Sequence, residues 1–117
     1  MTRRELPSPH FKRAEFACRC GCGADDISPY LVACLEDVRK ALARAIIITS
    51  GVRCKDHNAA VGGVPNSQHL HGEAADITAN GITARQLAKV INMRWPELQT
   101  IVYDDKNFVH VALHRNR

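Results

Sequence analysis

The sequence has few aromatic residues and no long apolar segment. Phe, Trp and Tyr make up only 5 % of its 117 residues although 45 % are hydrophobic, so we expect a core of Ile, Val, Leu and Ala. No run of about 18 apolar residues occurs, which argues against a transmembrane helix. The basic N-terminus has no apolar stretch behind it and does not resemble a secretory signal, so we expect synthesis as a soluble cytoplasmic product.

Repeats, low-complexity segments and linkers are also absent. The length predicts one compact domain over residues 1–117, and we expect a monomer. Sixteen Lys and Arg against twelve Asp and Glu give a formal net charge of +4, which favours anionic partners such as nucleic acid or a polyanionic cell wall. Because the basic residues are scattered without interleaved aromatics, we expect no nucleic-acid binding.

Cysteine, in contrast, is frequent, and four of the five lie early in the chain. An odd number without a signal peptide argues against a full disulfide framework. The alternate spacing in "CRCGC" (18–22) differs from the C-x2-C of zinc knuckles, and we expect such a loop to have difficulty folding three thiolates round one ion. We therefore favour a tight glycine-bearing loop with small buried thiols. A second metal at Cys18, Cys20 and Cys22, or a disulfide from this loop to Cys54, is the alternative.

Hydrophobic spacing predicts an α+β fold, a small and mainly antiparallel sheet with helices packed on one side. Residues 1–27 are expected to form an irregular arm and a cysteine-rich loop. Ser28 and Pro29 begin a helix over about 28–44, followed by a short helix over 55–62 and another over 83–93. We predict a buried strand at "AIIITSG" (45–51), a strand at "EAADITA" (73–79), and a β-hairpin over 99–114 with its turn at 104–107.

Two histidines and an aspartate lie in the segment "NSQHLHGEAADI" (66–77). His69 is in a glycine-bounded loop, Asp76 is on the strand that follows, and His110 is on the hairpin face opposite the core, so the three can converge. Two imidazoles and a carboxylate suit Zn²⁺ and leave a fourth position for water, whose pKa the ion would lower to about 7. By spacing alone, His71 or His114 could equally be a ligand, and a lone histidine is usually a solvated surface residue.

Three segments together resemble the zinc D-alanyl-D-alanine carboxypeptidase and endopeptidase family: "SGVRC" (50–54), "NAAVGGVPNSQHLHGEAADI" (58–77) and "NFVHVAL" (107–113). This family includes phage endolysins and bacterial wall-modifying peptidases, and it shares its core fold with the hedgehog signalling domain. Its pattern is S-G-x-R, then S-x-H-x-x-G-x-A-x-D, then a hydrophobic pair before His. The central motif fixes five residue types over ten positions, and the similarity spans residues 11 to 113.

The resemblance implies a zinc peptidase that cuts an amide next to a D-amino acid in a peptidoglycan stem peptide. His69, Asp76 and His110 match the zinc ligands of the family. His71 falls in the variable part of the motif, so it is expected to neighbour the site and to contact substrate rather than metal.

Arg53 and Ser67 match residues that in relatives hold the substrate's terminal carboxylate or a neighbouring carbonyl. Their ordinary interpretations are an ion-paired arginine and a turn-capping serine. Relatives also use an acidic side chain near the last zinc histidine as the general base, but one frequent position for it holds Ala112 here. We expect the base in the hairpin turn, at Asp104, or else at Asp105 or Glu73.

Two further functions remain open at this level. One is a non-catalytic, zinc-stabilised binding module of the hedgehog kind, which Ala112 favours. The other is a thiol-rich redox or structural protein. Without a signal peptide, an enzyme of this kind is expected to reach the cell wall through a holin or lysis partner, or inside a phage particle.

Overall fold

Four antiparallel strands form the centre of the structure, a computed structural model that describes residue 6 and residues 8–113. They are β1 (Ile46–Ser50), β2 (Ala74–Ala79), β3 (Leu98–Tyr103) and β4 (Phe108–Leu113), in the sheet order β1-β2-β4-β3. The helices are α1 (Pro29–Leu42), α2 (Lys55–Ala60) and α3 (Ala84–Arg94). The prediction of an α+β fold with a small antiparallel sheet is confirmed.

The two long helices begin at side-chain caps. The hydroxyl of Ser28 accepts a hydrogen bond from the N–H of Leu31 at 3.4 Å, with proline at the first position of α1. Thr83 and Gln86 form a capping box at the start of α3. Such caps satisfy backbone donors that a helix leaves unpaired, which explains why the sequence marks both starts. Within the described part of the chain, no helix is long and apolar enough to cross a bilayer.

One face of the sheet packs on α1 and α3, and the other is covered at its centre by the 3-10 helix Gln68–His71. Alternation along β2 and β4 directs four fully buried side chains to the packed face: Ala75, Ile77, Val109 and Val111. The edge strand β1 is less enclosed than expected, because it has a neighbour on one side only. Ile46 and Ile48 are buried, but Ile47 is 44 % exposed, so the predicted buried strand is buried on one face only.

The N-terminal segment is part of the core rather than only an irregular arm. A short 3-10 helix, Arg13–Phe16, buries Phe16 completely, and the ring of Phe11 packs against it at a centroid distance of 5.9 Å. The carbonyl of Phe16 accepts a hydrogen bond from the N–H of Val52 at 2.8 Å. This approach needs glycine at position 51, because a Cβ there would lie 2.5 Å from the same carbonyl oxygen.

Candidate metal centre

The pairing of two central strands places Asp76 and His110 side by side. Their Cα atoms are direct partners in the antiparallel pairing of β2 with β4. Directly paired residues project to the same side of a sheet, here the side away from the buried helices. His69 lies on the 3-10 helix Gln68–His71, which leads into β2. One ligand atom from each of these three residues lies within 4.8 Å of the others.

The three side chains are centred on one carboxylate oxygen. Oδ1 of Asp76 is 3.2 Å from Nε2 of His69 and 3.0 Å from Nδ1 of His110. The imidazole rings meet edge to face, with centroids 5.1 Å apart. His69 is 2 % exposed and Asp76 6 %, so most of the polar cluster is withdrawn from bulk water.

The hydrogen bond behind His69 determines which of its nitrogens can bind a cation. Nδ1 lies 2.7 Å from the carbonyl oxygen of Gly51. A carbonyl only accepts, so Nδ1 carries the proton and Nε2 of the neutral ring presents a lone pair. This lone pair faces an oxygen of Asp76 at 3.2 Å. Two such atoms repel each other unless a positive charge lies between them, so the donor set fits a metal ion.

The carboxylate of Asp76 is ionised at neutral pH. Burial acts to raise its pKa, but the polar contacts with the imidazoles of His110 and His69 outweigh burial and lower the pKa to about 2. Arg53 adds an ion pair at 3.2 Å, from Nη2 to Oδ2. A carboxylate must be deprotonated to bind a metal ion, and Asp76 meets this condition.

Arg53 is held on three sides. Nε donates to the hydroxyl of Ser50 at 3.2 Å, Nη1 to Oδ1 of Asn58 at 3.3 Å, and Nη2 to Asp76. Asn58 is itself buried and donates to the carbonyl of Val64 at 2.8 Å. A guanidinium has five N–H bonds, so these contacts leave two for a ligand. Arg53 is therefore an ion-paired residue that can still receive a carboxylate.

An open cleft of about 710 Å³ lies over the three ligand-type residues. One wall is the loop that precedes the 3-10 helix of His69, and the other comes from β3 and β4. Tyr103 and Phe108 stack in that second wall with ring centroids 4.6 Å apart and planes 13° from parallel. The cleft has room for an extended peptide with the buried carboxylate at its floor.

Several residues that line the cleft were not predicted from the sequence, although the pattern of the hairpin contains enough information to indicate some of them. A four-residue turn pairs Tyr103 with Phe108 and Ile101 with His110. Two-residue alternation then adds Gln99 to the same face. Asn58 gave no such signal, because its contact with Arg53 depends on how two loops fold together.

Ser67 lies in the site, but His71 does not contribute to the cleft. Ser67 is buried and lines the cleft, and its Oγ accepts the N–H of His69 at 3.2 Å, so it is a turn-capping serine. The side chain of His71 is exposed and is not part of the cleft lining. His114 lies outside the described residues.

The structure does not bring the predicted general bases into the cleft. Asp104 pairs with Arg85 of α3 at 2.5 Å, and the turn residue Asn107 also contacts the start of α3 through a hydrogen bond. Asp105 is exposed, and neither it nor Glu73 lines the cleft. A base in the hairpin turn stays a prediction, and for Asp104 it would require exchange of this ion pair.

The early cysteines converge, contrary to the sequence-based expectation. Three thiols of the N-terminal loop and one from the start of α2 lie within 4.8 Å of one another: Cys18, Cys20, Cys22 and Cys54. All five cysteines are free thiols, and Cys20 and Cys22 are exposed. The expectation of small buried thiols is wrong for these two, and the loop brings three thiols together despite the difficulty expected from their alternate spacing.

Comparison with known proteins agrees with the geometry of the cleft. No curated protein matches the chain. A family model described as Peptidase M15 matches residues 9–112, which covers nearly the whole described chain. The resemblance seen in the three sequence segments is thereby confirmed. The chain belongs to the peptidase M15 family, metal-dependent peptidases of the kind that act on peptidoglycan.

Proposed function

We propose that this protein is a zinc-dependent peptidase that hydrolyses an amide next to a D-amino acid in peptidoglycan stem peptides. One observation carries the proposal. A buried, ionised carboxylate faces the imidazoles of two histidines at the floor of an open cleft. Family membership supports the more general statement that the protein is a peptidase that needs a metal ion.

Nε2 of His69, Nδ1 of His110 and the carboxylate of Asp76 would hold the ion. Imidazole nitrogen and carboxylate oxygen are a ligand set that suits zinc, and three protein ligands leave one position open. When bound, such an ion supplies Lewis-acid chemistry, which acidifies water and polarises a carbonyl. The carbonyl of Gly51 fixes the ring of His69 and keeps its Nε2 deprotonated.

The other residues of the cleft would bind and orient the peptide. The two remaining N–H groups of Arg53 suit a terminal carboxylate, since a guanidinium and a carboxylate pair through parallel hydrogen bonds. The hydroxyl proton of Ser67 can be donated to a substrate carbonyl, because its oxygen already accepts from His69. The stacked rings of Tyr103 and Phe108 provide an apolar wall for the flanking residues.

A second candidate function is a zinc-stabilised binding module without catalysis. Within residues 6 and 8–113, Asp76 is the one acidic side chain that lines the cleft, and it is committed to the imidazoles and Arg53. General-base catalysis typically contributes about 10²- to 10⁴-fold. A protein with this cleft but no acidic residue in reach would bind a wall peptide and hydrolyse it slowly.

The proposal includes the route to the substrate. A formal charge of +4 suits a polyanionic cell wall. Export through a holin or lysis partner, or delivery within a phage particle, would bring the enzyme to that wall.

Incubation of the purified protein with cell walls and with a synthetic stem peptide ending in D-Ala-D-Ala tests the function. We expect product release that a chelator stops and added zinc restores, with the cleaved bond identified by mass spectrometry. Hydrolysis that persists after the ion has been removed would overturn the metal-dependent mechanism. Bound zinc with no hydrolysis of any wall type would instead support the binding module.

The general base is tested by a matched pair of variants, one at each partner of the ion pair between Asp104 and Arg85. If Asp104 accepts the proton, Asp104→Asn lowers kcat by about 10²-fold or more and removes the acidic limb of the pH profile. Arg85→Gln breaks the same ion pair but keeps the acid, so it should retain kcat. Equal activity of Asp104→Asn, Asp105→Asn and the unchanged protein would exclude the turn as the source of the base.

A further inference from the structure

Four cysteine thiols form a second cluster of ligand-type side chains outside the cleft. Cys18, Cys20 and Cys22 lie on the loop that follows the 3-10 helix Arg13–Phe16, and Cys54 is the N-cap residue of α2. The Sγ atom of Cys18 is 3.4 Å from that of Cys20 and 3.8 Å from that of Cys54, and the Cys20–Cys54 separation is 3.6 Å. All four sulfur atoms lie within 4.8 Å of one another.

These separations match the edges of a tetrahedron round one ion. A Zn–S bond is about 2.3 Å long, so neighbouring sulfurs of a tetrahedral four-thiolate site lie about 3.8 Å apart. A disulfide requires about 2.05 Å between two sulfurs and would engage the thiols only in pairs. The three separations between 3.4 and 3.8 Å therefore suit atoms arranged round a shared centre.

The backbone around the thiols supports such an arrangement. The N–H of Cys54 points to the sulfur of Cys18 at 3.4 Å, and the N–H of His57 points to the sulfur of Cys54 at 3.4 Å. Donors of this kind stabilise the negative charge of thiolates that bind a metal. Gly21 and Gly23 adopt left-handed conformations with φ of 85° and 90°, which other residues rarely adopt. They let the loop turn between its cysteines.

The loop is also fixed to the sheet independently of the thiols. The guanidinium of Arg19 donates to the carbonyls of Ala17, Glu15 and Ile48, the last of these at 2.8 Å on the edge strand β1. The N–H of Cys18 donates to the carbonyl of Ala24 at 2.7 Å and closes the loop. The thiols therefore start from a preformed loop.

We propose that Cys18, Cys20, Cys22 and Cys54 bind a zinc ion in a closed, structural four-thiolate site. Thiolates are soft ligands that select zinc among the common divalent ions, and four of them leave no position for substrate. Each thiol releases its proton on binding. The site is separate from His69, Asp76 and His110, and it does not depend on whether that centre is catalytic.

The position of Cys54 gives the site a second role. Residue 54 follows Arg53, whose guanidinium contacts Asp76 in the cleft. An ion held by Cys54 and by three residues of the N-terminal loop joins two segments that are 36 residues apart along the chain. Closing this loop restricts the segment between β1 and α2 and positions Arg53 without contacting it.

The test is the metal content of protein produced with zinc and purified under reducing conditions. We expect two zinc ions per chain in the unchanged protein, and one in the double variant Cys20→Ser/Cys22→Ser. His69→Ala should lose the other ion and retain the thiol-bound one. Cys34→Ala, which removes the remaining cysteine from the core of α1, is the matched control and should retain both.

Cobalt substitution of the unchanged protein provides a readout that needs no variant to fold. Four thiolates round Co²⁺ produce intense thiolate-to-metal charge-transfer absorption, which a His₂Asp site does not. We expect this absorption, and we expect a thiol-blocking reagent to abolish it together with one equivalent of metal. Absence of the absorption in fully reduced protein would overturn the proposal. So would a zinc content that does not change in the double cysteine variant, or a native mass two hydrogens lower that reveals a disulfide.

Discussion

The two clusters of ligand-type side chains rest on different supports. Asp76 and His110 lie on paired central strands, and the nearby ring of His69 is fixed by a carbonyl at 2.7 Å. The cysteine cluster lies on a loop and a helix start, with two of its thiols exposed. Strand pairing fixes the first geometry before any ion binds, whereas the second rests on a loop that is joined to the sheet by hydrogen bonds such as that from Arg19 to the carbonyl of Ile48. Loss of metal should therefore affect chemistry at the first cluster and folding at the second.

The largest effect is expected from Asp76→Ala, which would remove the central residue of the cluster that Asp76 forms with His69 and His110. The half-buried guanidinium of Arg53 would lose its buried anion, and removing one partner of such an ion pair costs up to about 3–5 kcal/mol. We also expect hydrolysis to fall by about 10³-fold, because the ion contributes several kcal/mol to catalysis. Urea unfolding and a peptide-release assay measure the two effects.

Two further variants control this result. Asp56→Ala removes an exposed carboxylate from α2 and should change stability by less than about 0.5 kcal/mol. Asp76→Asn keeps the size of the side chain in case the alanine variant does not fold, and it should show the same loss of hydrolysis. An asparagine variant with full activity would contradict the metal centre.

A smaller effect is expected from Gly51→Ala, because residue 51 contacts both the N-terminal segment and the ring of His69. The new Cβ would meet the carbonyl of Phe16 at 2.5 Å, and forced overpacking of this kind costs about 1–3 kcal/mol. The carbonyl of Gly51 would move from His69, so zinc affinity at the cleft should fall by about 10- to 100-fold. Titration with a zinc chelator measures the affinity.

Gly63→Ala is the comparison for this variant. Its Cβ would meet the side chain of Asn58 and disturb Arg53 instead, so the affinity for zinc should change less than in Gly51→Ala. Equal zinc affinities in the two variants would contradict a role for the carbonyl of Gly51.

Arg53→Lys tests the residue that lies between the two clusters, since Arg53 contacts Asp76 and directly precedes Cys54. A lysine provides a single ammonium group in place of the planar guanidinium. It therefore cannot keep the three hydrogen bonds of Arg53 and still pair with a substrate carboxylate. We expect KM to rise about tenfold, which corresponds to about 1.4 kcal/mol, with a smaller change in kcat. Arg44→Lys, at an exposed position, should leave both constants unchanged. A variant that loses only kcat would contradict a substrate-binding role.

The smallest effect is expected from Glu36→Gln, which tests how far the N-terminal segment is held without the thiols. Burial acts to raise the pKa of Glu36, but hydrogen bonds from Ser8 and His10 outweigh it and lower the pKa below its usual 4.5. A lowered carboxyl pKa gives stability that is present above about pH 4.5 and lost as the pH falls through the folded-state pKa.

The unfolding free energy of the unchanged protein should therefore decline on acidification by on the order of 1 kcal/mol more than that of Glu36→Gln. Urea midpoints at about pH 6 and about pH 3.5 measure this difference. Parallel declines in the two proteins would show that this contact does not hold the segment.

The sequence predicted the elements whose signals are local. Helices α1 and α3 were indicated by their caps and apolar spacing, and the hairpin by a polar turn between two alternating strands. The same alternation placed His110 opposite the core, and the family motif indicated its two partners. Each of these features is determined by neighbours within a few residues.

What the sequence did not predict depends on contacts between distant segments. The edge position of β1 follows from the sheet order, which no local pattern contains. The thiol cluster needs Cys54 brought beside Cys18 across 36 residues, and the ion pair between Asp104 and Arg85 spans 19. Such contacts form only once the whole sheet is assembled, so the turn carboxylates looked nearer to the cleft than they are.

The direct pairing of Asp76 with His110 also determines where the chain can change in length. Deleting one residue within β4 would exchange its two faces, so that a valine would occupy the floor of the cleft and the imidazole would turn into the apolar interior. Extra residues at the tip of the hairpin leave every cross-strand partner in place. Peptide tags and insertions should therefore be tolerated at the tip, while a single-residue deletion a few positions later removes the metal centre.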